Sequence, residues 1–219
     1  MRTGSRMTTP RPSDAAPNTS TKPPRRPSVT AAFTMSWDGR IIEPRPPQKP
    51  VDAVLCEHDS VERAIPPETT RVLLLPTGRI DPGAEFFYPQ SHPVIVYSPA
   101  RMPRAVQAAL SAMTHVRLHL RTAGAWPLRE ALEHLRATHK VRQLAFVGGP
   151  PLFRKLVTEG LLTDLSLAWR RTLLGDQSQS ITGPDKHFLP RAIPLTLLKL
   201  KRTPQECIAH YRIHPLYAL

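Results

Sequence analysis

Between Val51 and Leu174 the sequence repeatedly sets a short apolar run beside a stretch of helical periodicity, a pattern few folds accept. VDAVLC at 51–56, RVLLL at 71–75, PVIVY at 93–97 and VRQLAFV at 141–147 are too short for helices and largely apolar, as strands covered on both faces are. HVRLHL at 115–120 alternates and reads as a further strand, and 165–174 as a long one. Helices are predicted over 103–113, 127–139 and 152–159. In the second, Leu128, Ala131, Leu132 and Leu135 fall on one face, and the third stops at Gly160, a residue suited to a helix C-terminus. Strands alternating with helices imply an α/β fold with a mainly parallel central sheet and helices on both faces.

The flanks add detail. SVTAAFTMS at 28–36 reads as a buried strand running into a turn at Trp37-Asp38-Gly39-Arg40. Prolines make 43–50 (EPRPPQKP) a loop, and 60–64 has room for at most a turn of helix before Pro66-Pro67. Leu195–Arg202 and Glu206–Arg212, joined by Thr203-Pro204-Gln205, read as a closing antiparallel hairpin that supplies edge strands.

Residues 1–27 differ from the rest. They are rich in Pro, Ser, Thr and Arg without hydrophobic periodicity, the composition of a disordered tail ahead of one domain at 28–219. This tail holds six basic residues and one acidic one, so +5 of the net charge of +13 lies outside the predicted domain. With no nucleic-acid reader motif, nucleic acid is not the expected partner. No run approaches the roughly 18 to 20 apolar residues that span a bilayer, and the tail lacks the apolar segment of a secretory signal. Cys56 and Cys207 have neither metal spacing nor a disulfide pattern, so a reducing, cytoplasmic setting is expected.

The most suggestive local chemistry is the strand–Gly148-Gly149-Pro150–helix junction. Paired glycines let a ligand approach the backbone, and a helix N-terminus presents N–H groups and a positive dipole end to phosphate. No GxGxxG or GxxxxGK[ST] loop accompanies it. Asp38 at the strand end can orient a substrate, relay a proton or simply shape its turn, and Trp37 can stack on a flat ring or pack. His115 and His119 lie four residues apart without an acidic or cysteine partner, so no metal is assigned, and no Gly-x-Ser-x-Gly elbow suggests a hydrolase.

Together these pieces resemble a known family. VTAAFTMSWDGR at 29–40 is similar to the opening strand and Ser-x-Asp-Gly-Lys/Arg turn of the reductase domain of bacterial riboflavin-biosynthesis deaminase-reductases. LAFVGGPPLFRKLVTEGLLTDLSLAWRRTLLG at 144–175 resembles that family's strand, glycine turn, helix and "LLG" strand end, and PLTLLKLKRTPQECIAHYRIHP its closing hairpin. The resemblance implies a dihydrofolate-reductase-like fold, a homodimer, NADPH as cofactor and reduction of the ribosyl group of a phosphoribosylamino-pyrimidine. Carried over by position, it implies cofactor contacts at Met35, at Thr77 and along Gly148, Gly149, Pro150, Pro151, Leu152, Phe153 and Arg154. Arg79 and Arg154 are placed for the ribose 2′-phosphate. Asp38, as the catalytic residue, and Trp37, toward the substrate, would edge the nicotinamide pocket.

The chain also departs from that pattern. Only IIEPRPPQKP separates Arg40 from Val51, which leaves no room for the family's substrate-gripping helix. Val147 stands where an acidic residue is usual, and Ala32 where a lysine is. The expected substrate is therefore a different small molecule, phosphorylated or pyrimidine- or pteridine-like. The alternatives are a non-catalytic member serving as a binding or dimerisation module and, behind it, a nucleic-acid-associated protein.

Overall fold

The computed structural model describes residues 26–47, 49–57, 65, 68–88, 91–175, 180–181 and 192–214. Its strands are β1 (Ser28–Met35), β2 (Ile41–Pro44), β3 (Ala53–Cys56), β4 (Thr70–Leu74), β5 (Val94–Pro99), β6 (Val116–Arg121), β7 (Gln143–Val147), β8 (Asp164–Arg170), β9 (Leu195–Arg202) and β10 (Glu206–Ile213). Its helices are α1 (Arg104–Ala112), α2 (Leu128–His139) and α3 (Pro150–Thr158). They build one sheet in the order β6-β5-β4-β3-β7-β1-β8-β10-β9, with β2 paired to β1. From β6 to β8 every neighbouring pair is parallel, and β10 and β9 close the sheet antiparallel. This is the predicted mainly parallel α/β sheet with a terminal hairpin.

Successive residues of a strand point to opposite faces, and both faces are buried here. Val29, Ala31, Phe33, Leu55, Val72, Tyr97, Leu144 and Phe146 share one core with the apolar stripes of α2 (Leu128, Ala131, Leu132, Leu135) and α3 (Phe153, Leu156, Val157). Val54, Cys56, Leu73, Val94, Val96, Ala145 and Val147 form the other, under Leu110 of α1 and Phe86 and Phe87 of a short 3-10 turn at Glu85–Phe87. The buried Arg71 guanidinium fixes that turn by donating to the carbonyls of Phe86 (2.6 Å) and Tyr88 (3.0 Å).

Most boundaries move by one or two residues, and four differences from the sequence reading have a structural reason. Ile41–Pro44 is a strand that includes two residues assigned to a loop. It pairs antiparallel with β1, and as the terminal residue of a short strand Pro44 costs the ladder little. α3 begins two residues earlier than predicted, because Pro150 and Pro151 occupy the first two helical positions, where no intrahelical N–H is needed. β8 ends at Arg170 instead of 174, where pairing to both β1 and β10 runs out. Arg26, assigned to the tail, donates from Nη2 to the Gly160 carbonyl (2.9 Å). Residues 1–25 and the predicted helical turn at 60–64 lie outside the described residues.

Candidate functional site

Two features of the topology open a crevice at the carboxyl edge of the sheet. The chain leaves β3 for β4 on one side, whereas it leaves β7 through α3 for β8 on the other. The C-terminal ends of β3 and β7 therefore form a switch point, the place where open α/β sheets bind ligands. β1 also changes neighbour here. β7 pairs with Ser28 to Ala31, after which β2 takes that side, with Pro44 opposite Phe33 and the Arg45 N–H donating to the Ala32 carbonyl (2.8 Å). β7 must yield that lateral position, and the glycine turn follows directly on Val147.

The first residue after β3 is Glu57, and its carboxylate reaches across the switch point. Oε2 accepts the Gly149 N–H at 2.9 Å. The fit of a dinucleotide phosphate depends on this contact, since the helix start is sparing with donors. Pro150 and Pro151 carry no N–H, and the Phe153 N–H donates to the Gly149 carbonyl (3.2 Å). Gly149 and Leu152 are the backbone donors α3 has to offer, and an acid already holds the first. A phosphate at the Gly149 N–H would have to displace the Glu57 carboxylate.

The two glycines have different physical roles. Gly149 is extended (φ −87°, ψ 178°), a conformation open to any residue, and a Cβ there would meet Glu57 Oε2 at 3.2 Å. A Cβ on Gly148 would meet the Phe146 ring at 2.9 Å. Gly148 is thus required by packing, whatever binds nearby.

Of the other predicted site residues, several are at the same edge but committed elsewhere. Met35 and Phe153 are buried in the core, with Phe153 edge-on to Phe33 at 5.1 Å, and Leu152 packs against the same cluster. Thr77 follows β4, two strands from β7, and its Oγ1 accepts the Arg79 N–H at 3.4 Å. Arg154 projects from the second turn of α3, half-buried.

Asp38 is exposed, and its carboxylate ties the β1–β2 turn to the segment after β8, accepting N–H groups of Leu174 (3.2 Å) and Gly175 (2.7 Å). The neighbouring Ser36 hydroxyl and these two N–H groups hold its pKa down to about 2. That makes Asp38 a fixed negative charge and a poor proton donor at neutral pH. Trp37 is 58% exposed and lines a cleft of about 320 Å³ with Trp169, Arg171, Arg202, Glu206 and Cys207. That cleft belongs to the β8–β10–β9 side of β1, opposite β7.

Glu57 escaped the sequence reading, although an acidic residue directly after an apolar strand is a visible signal. So did a cluster on the edge strand, where His119 meets His134 and His139. His115 is not part of it, its Nε2 lying 3.0 Å from the Phe87 carbonyl. Of the two cysteines, neither in a disulfide, Cys56 is buried and its thiol is pushed up to about 12 by that burial. It is not a nucleophile. No helix among the described residues is long and apolar enough to cross a membrane.

No family model and no curated protein sequence matches this chain. Solved structures do. Acinetobacter baumannii RibD superposes with a TM-score of 0.63 at 18% identity, over 87% of this chain and 58% of that one. A pyrimidine reductase-like protein from Corynebacterium diphtheriae gives 0.60 at 16% identity, over 86% of this chain and 92% of that one. The riboflavin biosynthesis reductase Rib7 of Saccharomyces cerevisiae gives 0.59 at 16% identity, over 89% and 92%. The chain spans less than two thirds of the RibD chain. The fold expected from the sequence, that of the dihydrofolate-reductase-like riboflavin-pathway reductases, is the fold of this chain.

Proposed function

We propose that this protein is an NADPH-dependent reductase acting on a small molecule that differs from the phosphoribosylamino-pyrimidine of the riboflavin pathway. The observation that carries this reading is the switch-point crevice between β3 and β7, with the Gly148-Gly149 turn at its edge, in a fold whose solved examples include reductases. The Gly149 and Leu152 N–H groups and the dipole of α3 would hold a cofactor phosphate, and Arg154 would reach the 2′-phosphate. NADPH supplies the hydride when bound; the protein supplies position and electrostatics. The substrate is altered because β2 stands where a substrate-gripping helix would be, and Val147 and Ala32 carry no charge. A flat, phosphorylated or pyrimidine- or pteridine-like ring suits the family chemistry. We place the protein in the cytoplasm as a homodimer, which would cover the four exposed leucines of the edge strand β9, Leu195, Leu197, Leu198 and Leu200.

The Glu57–Gly149 contact favours a second reading, a non-catalytic module in which the phosphate position is filled from within. Titration with NADPH and NADH, by calorimetry or nicotinamide fluorescence, separates the two. Binding that prefers NADPH supports the reductase. No binding of either cofactor up to millimolar concentration hands the site to the second reading.

A further inference from the structure

The edge of the sheet farthest from the hairpin carries a cluster unrelated to the switch point. His119 projects from β6, and His134 and His139 from α2, so that one ring nitrogen from each lies within 4.8 Å of the others. Nε2 of His119 and Nε2 of His139 are 2.8 Å apart. β6 is four strands away from β7, which separates the cluster from the glycine turn.

We propose that His119, His134 and His139 form a binding site for a divalent transition-metal ion of the zinc class, held by three imidazole nitrogens with a fourth position open to water or an anion.

Four observations support it. The first is donor chemistry: three imidazoles converging, with no carboxylate or thiolate among the described residues joining them, suit zinc and its neighbours, not magnesium or calcium. The second is geometry. Tetrahedral coordination at a Zn–N distance of 2.0–2.1 Å puts ligand nitrogens about 3.3 Å apart. The His119–His139 pair, at 2.8 Å, is a little tighter than that, and the third nitrogen lies within 4.8 Å of both.

The third is the surrounding shell, which orients metal-ligating histidines through their other ring nitrogen. Tyr97 Oη lies 3.1 Å from His134 Nδ1, which leaves Nε2 as the ring's ligand atom. That Nε2 has a contact to Thr138 Oγ1 (3.3 Å), which a metal ion would displace. Tyr97 also stacks on His119 at 5.2 Å, and the Trp126 indole N–H donates to the His119 carbonyl (3.2 Å), fixing ring and strand. The fourth is charge. His139 ends α2, where the carbonyl end of the helix dipole favours a cation. The Arg117 guanidinium opposes a bare dication and by the same token favours an anionic fourth ligand, hydroxide included.

The plain alternative is a packed histidine–aromatic cluster that binds nothing. To decide, the full untagged chain is stripped with chelator and titrated with Co²⁺ and Zn²⁺. The expected result is one equivalent of Co²⁺ with the intense visible d–d bands of tetrahedral nitrogen coordination, displaced by Zn²⁺, and a melting temperature raised by Zn²⁺. His119→Ala and His139→Gln each weaken binding at least about tenfold and abolish the tetrahedral spectrum, while His210→Gln, on β10, changes neither. Circular dichroism of the metal-free variants checks their folding, and His134→Gln gives an independent ligand deletion. The proposal is overturned if the wild type takes up less than one equivalent at millimolar Co²⁺, if the bound cobalt is octahedral, or if well-folded variants bind as the wild type does.

Discussion

Replacing Gly148 with alanine should destabilise the protein even without any ligand, because its neighbours leave no room for a methyl group. The added Cβ would lie 2.9 Å from both Cε2 and Cζ of Phe146 and 3.2 Å from Cγ of Glu57. Ordinary carbon contacts begin near 3.4 Å, so the ring must move by about half an ångström. It has nowhere easy to go. Phe146 is 1% exposed and is packed against Phe33 (6.3 Å, edge-on) and Phe153 (6.4 Å, stacked). Overpacking of this kind costs about 1–3 kcal/mol, which in a domain of this size lowers the melting temperature by roughly 3 to 10 °C. Gly149→Ala is the internal control. Its backbone is extended, and its Cβ meets the end of the Glu57 side chain at 3.2 Å and Pro151 Cδ at an ordinary 3.5 Å, so its effect should stay within about 0.5 kcal/mol. Urea melts of the two variants, and of Gly148→Ala combined with Phe146→Leu, provide the assay. Most of the Gly148→Ala loss should return in the combination. Equal stability of the two single variants would refute this packing account of the glycine pair.

Two further outcomes follow from charges and edges. Asp38 has its folded pKa lowered from 3.8 to about 2, so its stabilising contribution is complete above about pH 4 and is lost as pH falls toward 2. Asp38→Asn should therefore flatten the acid limb of the stability profile between those values, and an unchanged limb measured by pH-dependent denaturation would contradict the assignment. Leu197→Lys with Leu200→Lys, on the exposed edge strand β9, should convert a homodimer to a monomer of 24.5 kDa in light scattering; a monomeric wild type at micromolar concentration would end the dimer reading.

Legibility in the sequence divided along the range of the interactions. α2 was readable because its apolar stripe repeats within a dozen residues, and Leu128, Ala131, Leu132 and Leu135 are indeed its buried face. The short apolar runs became parallel strands because only a doubly covered sheet buries them on both sides. β2 was hidden because proline content says where a central strand cannot be, not where an edge strand can. The site was less legible than the fold. Glu57 meets Gly149 across 92 residues, and His119 meets His139 across 20, through pairings of β3 with β7 and of β6 with α2 that no local pattern encodes. Asp38 was noticed, but its tie to the Leu174 and Gly175 N–H groups, 136 and 137 residues away, has no local signature.

The claim that the switch-point crevice is a cofactor site rests on whether a phosphate can replace Glu57 at the Gly149 N–H. The decisive measurement is the NADPH affinity of the wild type beside that of Glu57→Gln, by nicotinamide fluorescence at fixed ionic strength. A carboxylate a few ångströms from a phosphate repels it by at least about 1 kcal/mol at a partly exposed site, so removing its charge should tighten NADPH binding about fivefold to tenfold. That gain should shrink with added salt. Equal affinities, or no binding by either protein up to millimolar cofactor, would contradict the account.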